Sequence, residues 1–448
     1  MPIYRLNFKK RKSVYYDTDR GTFYELEGYP IVFNTDLDVP RRAIIEPYGN
    51  GDRIKKSRNP RKVRIVMGFD CNFKCKYCSQ KITREDSAER MFGLTDSFLE
   101  RFQLAIDTPP RSIEFWGGEP LVYIKTLRKI VPKLREQYPS TTFRIITNGS
   151  LITDDVVDFL LKYGIITIVS HDAQGQCYRG EDPLADPQKK AALKRLYEGL
   201  KTAPHGEDET TFSFAAVMTK NNCDPLIIGE YFRSNFDPNV SVSCSYVTAM
   251  GGISADENFL AVAFDDKSLN EMSSNVLKAI DMGVEANLPN TIKRDALDGL
   301  MKIAHQECSG QIGSRCETDS PYHLIVKLDG DVLQCQNNNA HGEFGNIFDM
   351  DSVSISGTKM WNHRATCQKC PIVHFCYGAC PALDGNGFVD SCSVNWAYYS
   401  AMFTWVISTI FEDRLISIEG EILRPVRELV ETKHGKTKLL KKILMPSY

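Results

Sequence analysis

Residues 68 to 78 read Gly-Phe-Asp-Cys-Asn-Phe-Lys-Cys-Lys-Tyr-Cys and follow a short apolar run that is typical of a β-strand. Three thiols, those of Cys71, Cys75 and Cys78, therefore lie close together in the chain. Thiolates select iron–sulfur clusters, zinc or copper(I), and a complete structural site takes four protein ligands. A local set of three leaves one coordination position open. Half of a zinc site and a chance cluster of cysteines remain alternatives at this point.

The composition is that of an ordinary globular protein. Of the 448 residues, 42% are hydrophobic and 25% are charged, which is enough for two or three domains. The formal net charge of -2 gives no basic field, so a nucleic-acid partner is not indicated. The fourteen cysteines are too few for a disulfide scaffold, and the N-terminal segment lacks the apolar core of a secretion signal. We therefore expect reduced, metal-binding thiols in a cytoplasmic protein.

Strand-like and helix-like segments alternate from Val63 onward. Apolar, β-branched runs predict six strands, at Val63–Met67, Ile113–Trp116, Phe143–Thr147, Ile165–Ser170, Thr211–Met218 and Val240–Val247. Helical spacing predicts helices at Thr95–Ile106 and Thr153–Tyr163, each with its threonine as N-cap, and at Pro187–Leu200, Lys267–Met282 and Thr291–His305. This alternation predicts an α/β protein with a parallel sheet. Its function is expected at the C-terminal ends of the strands, and Cys71 directly follows the first strand.

Three successive strand ends carry residues suited to a small polar ligand. The second strand leads into Trp-Gly-Gly-Glu-Pro at residues 116–120, where two glycines allow close backbone approach and Glu119 can accept N–H donors. The third ends in Thr-Asn-Gly at residues 147–149, although Asn-Gly is also an ordinary turn. The fourth ends in Ser170-His171-Asp172, where Ser170 and Asp172 alternate along the strand and could bond hydroxyl groups. Each motif has a structural explanation alone, but their order favours one shared ligand.

Most of the remaining cysteines are concentrated in residues 308–392. Their order is Cys308, Cys316 and Cys335, then Cys367, Cys370, Cys376 and Cys380 at a C-x2-C-x5-C-x3-C spacing, and finally Cys392. Eight thiols can complete two four-ligand sites, either two iron–sulfur cubanes or two zinc sites. The hydrophobic runs around them are short, so we expect this segment to depend on its metal for folding.

The two cysteine patterns together resemble the radical S-adenosylmethionine (SAM) enzymes with a C-terminal SPASM extension. The C-x3-C-x2-C motif with an aromatic residue before its last cysteine resembles the cluster-binding loop of that family, and the second array, with Gly378 and Gly345-Asn346-Ile347, resembles the extension. The resemblance implies a partial (β/α)6 TIM-like barrel in which Cys71, Cys75 and Cys78 hold three irons of a [4Fe–4S] cluster. SAM would chelate the fourth iron and, after one-electron reduction, yield a 5′-deoxyadenosyl radical that abstracts a hydrogen atom.

The resemblance also implies roles for the residues at the strand ends. The segment Gly117-Gly118-Glu119 would hold the methionine amino group of SAM, and Asn148 would lie near its methionine or ribose. Ser170 and Asp172 would meet the ribose hydroxyls. Arg179 would meet the SAM carboxylate, and Tyr77 would pack by the adenine.

For the SPASM part, the resemblance implies two fully ligated auxiliary [4Fe–4S] clusters. Cys308, Cys316, Cys335 and Cys380 would ligate the first, and Cys367, Cys370, Cys376 and Cys392 the second. Three [4Fe–4S] clusters would then use eleven of the fourteen cysteines. The others, Cys177, Cys223 and Cys244, are expected to be packing or loop thiols. A pair of zinc sites would explain the second array alone, but not the strand-end motifs.

We expect five segments along the chain. They are a short β-rich N-terminal extension at 1–60, the radical SAM partial barrel at 61–255, a helical bridge at 256–306, the SPASM domain at 307–395 and a C-terminal helical tail at 396–448. In the extension, turn signals lie at Thr18–Gly21 and Tyr48–Asp52, and the segment is short for a leader-peptide reader.

In the tail, Trp396–Phe411 is the longest uncharged run, but it is shorter than the roughly 20 residues of a spanning helix. We expect a buried helix there and no membrane partner. The basic run Lys433–Lys442 is expected to form a solvated amphipathic helix.

The resemblance places the substrate among peptides and proteins, because SPASM proteins mostly modify these. Auxiliary clusters suit a product radical that must lose an electron, so the expected activity is an oxidative intramolecular crosslink in a ribosomally made precursor peptide, as a C–C, ether or thioether macrocycle. Sulfatase maturases of this family have an aspartate after the third auxiliary cysteine, whereas Gln336 follows Cys335 here, which disfavours that activity.

Several points of this interpretation stay open. Candidates for a base are His171, Asp172, Glu317 and His323. An external one-electron reductant of the flavodoxin or ferredoxin type is the expected second partner. The alternatives are a radical SAM dehydrogenase, epimerase or other maturase acting on a protein residue or small molecule, and a metal-binding module without enzymatic activity.

Overall fold

The structure is a computed structural model that describes residues 2–33, 53–80, 87–202, 210–248, 256–282, 288–313, 316–337, 344–356, 360–427 and 436–447. The turn predicted at Tyr48–Asp52 lies outside the described residues, and so do the first three residues of the basic run that begins at Lys433.

Strands are numbered in chain order. They are β1 (Ile3–Phe8), β2 (Val14–Asp17), β3 (Thr22–Tyr24), β4 (Pro30–Ile31), β5 (Arg53–Lys55), β6 (Lys62–Val66), β7 (Ser112–Trp116), β8 (Thr142–Thr147), β9 (Ile165–Ser170), β10 (Phe212–Met218), β11 (Ser241–Tyr246), β12 (His323–Lys327), β13 (Ser354–Ser356), β14 (Leu415–Val426) and β15 (Lys436–Leu444).

Helices are numbered in the same way. They are α1 (Ala88–Gly93), α2 (Thr95–Ala105), α3 (Ile124–Gln137), α4 (Asp154–Lys162), α5 (Pro187–Lys201), α6 (Pro225–Asn235), α7 (Glu257–Leu260), α8 (Asp266–Asp281), α9 (Asn290–Ala304), α10 (Ala365–Gln368), α11 (Val373–Cys376) and α12 (Gly385–Ile410).

The central sheet is parallel and contains the six predicted strands, β6 to β11, within a residue or two of their predicted bounds. The sheet order is β11-β10-β9-β8-β7-β6-β12, so a seventh strand extends the predicted six. Strand β12 lies in the segment assigned to the SPASM domain, and it pairs with β6 from His323 opposite Lys62 to Lys327 opposite Val66. The fold is therefore the predicted α/β type, but the last strand of the sheet comes from the cysteine-rich part of the chain.

The two faces of the sheet differ in chemistry. On one face, alternate residues such as Val63, Ile65 and Phe115 are fully buried in the main hydrophobic core with the flanking helices. On the other face, the intervening positions of β6 and β7 carry Lys62, Arg64 and Glu114. Because side chains alternate along a strand, this second face is a polar interior wall.

The helical tail predicted for 396–448 is wrong beyond its first part. Helix α12 ends at Ile410, and the chain continues as the antiparallel hairpin β14–β15. Strand β14 pairs with β1, which gives a sheet of order β15-β14-β1-β2-β3-β4. The extension and the tail are thus parts of one sheet, because β14 completes the edge of β1 and buries Leu415, Ile418 and Ile422. The basic run is a strand over its described residues.

Other helix predictions differ only in detail. Thr153 caps α4 as predicted, since its side chain accepts the amide of Val156. Thr95 does not cap α2; the cap is Leu94, and the Thr95 hydroxyl bonds back to the carbonyl of Phe92. Helix α12 begins eleven residues before the predicted Trp396 and includes Cys392. No helix in the described part of the chain is long and apolar enough to cross a membrane.

Candidate functional site

The loop after β6 gathers the first three cysteines. Cys71, Cys75 and Cys78 are all half-buried free thiols. Burial, with the nearby Cys78, Asp172 and Cys71, raises the pKa of Cys75 to about 11, although the Arg179 guanidinium works in the opposite direction. The Cys71 sulfur accepts the amide of Phe73 at 3.4 Å. The three thiols predicted from the spacing are therefore neighbours in space.

The two glycines after β7 pack against this loop. A Cβ atom on Gly117 would lie 2.4 Å from the carbonyl oxygen of Gly68, and one on Gly118 would lie 2.3 Å from that of Asp70. The Gly118 amide donates to the Gly68 carbonyl at 3.0 Å, and the Glu119 amide donates to the Asp70 carbonyl at 2.9 Å. The lack of a side chain at Gly117 and Gly118 is thus required for contact with the cysteine loop, independently of any role in binding a ligand.

Glu119 and Asn148 lie in one buried network below the loop. The Glu119 carboxylate accepts hydrogen bonds from the Leu121 amide, the Thr147 hydroxyl and the Asn148 amide at 2.7 to 3.0 Å. Burial raises the pKa of Glu119, and these hydrogen bonds oppose the rise. The Asn148 side chain donates to Asn72 at 2.9 Å, which ties β8 to the cysteine loop. These side chains are positioned by protein partners next to the predicted cofactor site.

Tyr77, Asp172 and Arg179 form a second buried network. The Tyr77 hydroxyl donates to Asp172, and Arg179 donates to the Tyr77 oxygen at 2.6 Å and to Asp172 at 3.4 Å. Asp172 also accepts the Val217 amide at 2.9 Å. The Nε atom of Arg179 is buried and has no hydrogen-bond partner in the described structure. Three residues that the sequence predicts to contact SAM therefore lie together, and the Nε of Arg179 remains available to donate a hydrogen bond.

His171 is separated from this network by its own bonds. Its Nε2 lies 2.8 Å from an Asp182 oxygen, and its Nδ1 accepts the Ala173 amide at 3.0 Å. Ser170, the last residue of β9, pairs with Ala215 of β10. The fully buried ring of His171 packs among Phe214, Tyr231 and Phe232. Its surroundings are those of a structural histidine rather than of a base that meets a substrate.

A cavity of about 920 Å³ lies between the polar wall of the parallel sheet and the second cysteine array. Cys316, Cys335 and Cys380, three of the four predicted ligands of the first auxiliary cluster, line it. Cys308 does not line it, but its amide donates at 2.8 Å to Gln311, which does. Burial and the neighbouring Cys316 and Cys380 raise the pKa of the Cys335 thiol to about 11.

The four predicted ligands of the second auxiliary cluster meet at a separate small cavity. Cys367, Cys370, Cys376 and Cys392 all line it. They come from α10, the turn after it, α11 and α12. Arg424 of β14 lies in the same wall, stacks on Trp396 at 4.4 Å and donates to the Cys392 carbonyl at 3.5 Å. The structure thus brings these four thiols together, and their role as ligands stays a prediction.

The donor sets are made of thiols, whose chemistry fits iron–sulfur clusters. In a cubane each thiolate binds a different iron, so four thiols around a common space suit such a group. Within the described ranges, no three His, Cys, Asp or Glu side chains lie so that they could hold one metal ion. The three cysteines outside the sets are the exposed Cys177 and the buried Cys223 and Cys244, of which Cys244 also lines the large cavity.

The cavity also contains residues that the sequence interpretation did not select. Lys62 and Arg64 of β6 line it beside His323 and Glu317, and Asp295, Asp298 and Lys302 of α9 line the opposite side. Two basic residues at alternate positions of a central, otherwise apolar strand were a visible signal of an interior polar wall. The α9 residues gave no such signal, because polar positions on a helix usually face solvent.

Comparison with known proteins identifies the domain. Residues 65–203 match the family model of the radical SAM superfamily. The chain is 22% identical over 361 residues to the radical SAM cyclopropyl synthase TigE of Paramaledivibacter caminithermalis, covering 73% of this chain and 69% of that protein. It is 30% identical over 173 residues to the GTP 3′,8-cyclase of Helicobacter pylori, covering 38% of this chain and 52% of that protein. The chain thus spans about half the length of that second relative.

Among solved structures, anSMEcpe with bound AdoMet and Cp18Cys peptide superposes with a TM-score of 0.53 at 17% identity, covering 78% of this chain and 98% of that one. At this identity the likeness establishes the fold alone. Together with the family match, it confirms the predicted resemblance to radical SAM enzymes. The chain therefore carries a radical SAM domain.

Proposed function

We propose that this protein is a radical SAM/SPASM maturase that forms an oxidative intramolecular crosslink in a ribosomally made precursor peptide. The observation that carries the proposal is the cavity between the polar wall of the sheet and Cys316, Cys335 and Cys380. Its volume of about 920 Å³ lies within the range of ligand pockets, roughly 300–1,000 Å³. A substrate there would contact both the radical SAM domain and the proposed auxiliary site.

The proposed cofactors are SAM and three [4Fe–4S] clusters, held by the eleven cysteines grouped above. When bound, SAM and its cluster supply a radical that removes one hydrogen atom from the substrate. The chain's own contribution is to hold SAM through the networks of Glu119 and Arg179 and to keep the reacting carbon away from water. We assign these roles to the radical SAM segment 61–255 and the SPASM segment 307–395.

The balance of the crosslinking step defines what the cavity must provide. One hydrogen atom leaves a carbon of the peptide, and the partner group then loses a proton while the joined radical loses one electron. The net loss is two hydrogens per crosslink. The proton needs a base at the cavity, and the electron needs a one-electron acceptor, for which we propose the first auxiliary cluster. Of the four candidate bases, only Glu317 and His323 line the cavity.

The related proteins support this proposal. TigE is named a radical SAM cyclopropyl synthase, and anSMEcpe was solved with both AdoMet and a peptide. The GTP 3′,8-cyclases favour the second candidate, a radical SAM enzyme acting on a small molecule. The fourteen free thiols suit a reducing compartment, so we place the protein in the cytoplasm with a flavodoxin- or ferredoxin-type reductant.

Anaerobic reconstitution tests the cofactors. We expect about twelve irons per chain, from three cubanes, and cleavage of SAM to 5′-deoxyadenosine. Replacing Cys71, Cys75 and Cys78 by alanine should remove about four irons and all cleavage. Zinc alone, or no 5′-deoxyadenosine from the wild type, would contradict the proposal.

Co-expression with short reading frames that neighbour the gene tests the reaction. Peptide mass spectrometry should show a loss of two hydrogens, about 2 Da, and fragmentation should stop between the joined residues. The matched control is the same peptide expressed with the triple alanine variant. An unchanged mass with altered stereochemistry would show epimerisation instead, and unlinked dehydrogenation would show a dehydrogenase.

A further inference from the structure

We infer that the cavity contains a carboxylate-binding subsite formed by Lys62, Arg64 and His323, called here the basic subsite. The inference rests on the proposed function in one respect, namely that the substrate enters this cavity. The subsite adds to that function the chemical class of one group of the substrate, namely a carboxylate. All three residues line the cavity, and His323, one of the candidate bases above, is here assigned to binding instead, which leaves Glu317 as the candidate base.

The basic subsite lies at the N-terminal end of the sheet, away from the cysteine loop. Lys62 and Arg64 are two positions apart on β6 and share its interior face, and His323 is opposite Lys62 on β12. Lys62 is four residues before the end of β6 at Val66, or roughly 13 Å along the strand. A group bound there would anchor the substrate at a distance from the reacting carbon.

His323 has unused hydrogen-bonding capacity. Its side chain is almost completely buried, with 7% exposure, and both ring nitrogens lack any hydrogen-bond partner in the described structure. A Glu317 oxygen lies 3.9 Å from Nδ1. A buried polar group without a partner costs about 1–3 kcal/mol, so such groups indicate a ligand or other functional constraint.

Arg64 is fixed in place with its outer nitrogens available. Its Nε donates to Glu114 at 2.5 Å, and its guanidinium carbon lies 4.7 Å from the centre of the Trp116 ring. The two terminal nitrogens make no hydrogen bond to any described residue, and they belong to a side chain that lines the cavity. A guanidinium held on one edge and one face presents a planar pair of donors that matches a carboxylate.

The charge around His323 favours an anion. Burial is the main cause that lowers the pKa of His323, and the charges of Arg64, Lys56 and Lys62 lower it further. The Glu317 carboxylate acts in the opposite direction. Glu317 pairs with Lys62 at 2.8 Å and Glu114 pairs with Arg64, so three cations face two carboxylates. Arg64 also acts electrostatically on the Cys335 thiol of the same cavity, so little positive charge is left over for a ligand. That favours a singly charged carboxylate over a phosphate group, which carries up to two negative charges.

The carboxylate could belong to an acidic side chain, to a peptide C-terminus or to a free small acid. Calorimetry on the anaerobic holoenzyme can separate these sources with defined probes. We would use N-acetyl-Gly-Glu-Gly-amide, N-acetyl-Gly-Gly-Gly with a free C-terminus, and glutarate. N-acetyl-Gly-Gln-Gly-amide is the matched neutral control. The wild type should bind at least one carboxylate probe at least tenfold more tightly than the neutral peptide.

Two variants test the residues themselves. Arg64→Lys keeps the charge but removes the planar donors, and His323→Leu removes both nitrogens at similar volume. Each should weaken the preferred probe at least tenfold, while His363→Leu, an exposed histidine outside the cavity, should not. If His323 had only a structural role, its replacement would not change binding. Because its nitrogens have no partners, His323→Leu should keep or raise the thermal midpoint, so weaker binding would not reflect unfolding.

Equal affinity of the wild type for neutral and acidic probes would overturn the subsite. Unchanged affinity of Arg64→Lys and His323→Leu for the preferred probe would overturn it as well. These outcomes are independent of the proposed reaction. If the probes bind as expected but no co-expressed peptide is modified, the subsite stands and the proposed function fails. If peptides are crosslinked but no carboxylate probe binds selectively, the proposed function stands and the subsite fails.

Discussion

At the scale of single residues, the strand-end side chains are held by protein partners before any ligand is added. Glu119 accepts three hydrogen bonds, and Asp172 is bonded to Tyr77, Arg179 and the Val217 amide. Such fixed polar groups suit a site that must hold a reactive cofactor in one geometry. Their positions depend in turn on the close contact between the two glycines after β7 and the cysteine loop.

Gly118→Ala tests that contact. The new methyl group would lie 2.3 and 2.4 Å from the carbonyl oxygens of Asp70 and Phe69, which cannot move without shifting the cysteine loop. We expect a loss of about 1–3 kcal/mol in the free energy of unfolding and less iron at the first site. Gly93→Ala is the control, because a Cβ there meets no atom within 4 Å. Equal thermal midpoints and iron contents for the two variants would contradict the prediction.

His323 should make stability depend on pH. Burial and the surrounding cations lower its pKa from 6.5 to about 3, so the folded protein binds this proton less readily than the unfolded chain. The contribution is fully present above pH 6.5 and is lost as the pH falls toward 3, by up to about 5 kcal/mol.

Thermal midpoints of the holoenzyme measured from pH 7.5 to 5 should therefore fall more steeply for the wild type than for His323→Leu. The difference between the two curves isolates the histidine from acid effects on the clusters. Parallel curves would show that the ring is not held neutral by its surroundings.

At the scale of elements, two strands have roles that their neighbours in sequence do not indicate. Strand β12 completes the parallel sheet from within the cysteine-rich segment, and β14 joins β1 across almost the whole length of the chain. The first brings His323 next to Lys62, and the second places Arg424 in the wall of the second cysteine site. Strand β12 therefore forms part of the wall of the large cavity, and β14 joins the second cysteine set to the N-terminal sheet.

Strand β14 provides a matched pair of isoleucines. Ile418 is fully buried opposite Leu6 of β1, whereas Ile416 is 38% exposed. Ile418→Ala should cost about 2–5 kcal/mol of stability through lost burial and a cavity, and Ile416→Ala less than about 1 kcal/mol. Denaturant unfolding of both variants measures the difference. Similar small losses would indicate that β14 is not part of the core.

At the scale of the whole molecule, the two proposed auxiliary sites are joined by three residues. Tyr377, Gly378 and Ala379 connect Cys376 to Cys380, and all three have left-handed backbone angles, with φ of 56°, 82° and 63°. Lys302 donates to the Tyr377 hydroxyl of this link, and Arg364 donates to the Gly378 carbonyl at 3.3 Å. The tight link directs one cysteine to each cavity.

Gly378→Ala should therefore disturb both auxiliary sites together. The glycine has a positive φ, and a Cβ would lie 2.7 Å from that of Trp361. We expect up to about eight of twelve irons to be lost, with the SAM-cleaving site retained. Gly28→Ala is the control, because it has a similar φ of 90° and meets no atom within 4 Å. Loss of iron from one auxiliary site alone would show that the sites form independently.

The sequence alone determined the features that depend on local spacing. Six strands of the parallel sheet, the three-cysteine loop and the glycines at the next strand end were all predicted, because each rests on side chains that are close in the chain. The division of the eight later cysteines followed from resemblance. The structure brings four of these thiols to one small cavity and three to the larger one, and the ligand assignment stays a prediction.

Only the tertiary structure decided which distant segments meet. The pairing of β12 with β6, the β14–β15 hairpin on β1 and the cavity lined by Lys62, Arg64 and His323 depend on contacts between residues far apart in sequence. A local pattern carries no information about such partners, so the basic run near the C-terminus could be read as a helix. Likewise, His323 differs from the other candidate bases only because folding buries it, removes its hydrogen-bond partners and surrounds it with cations.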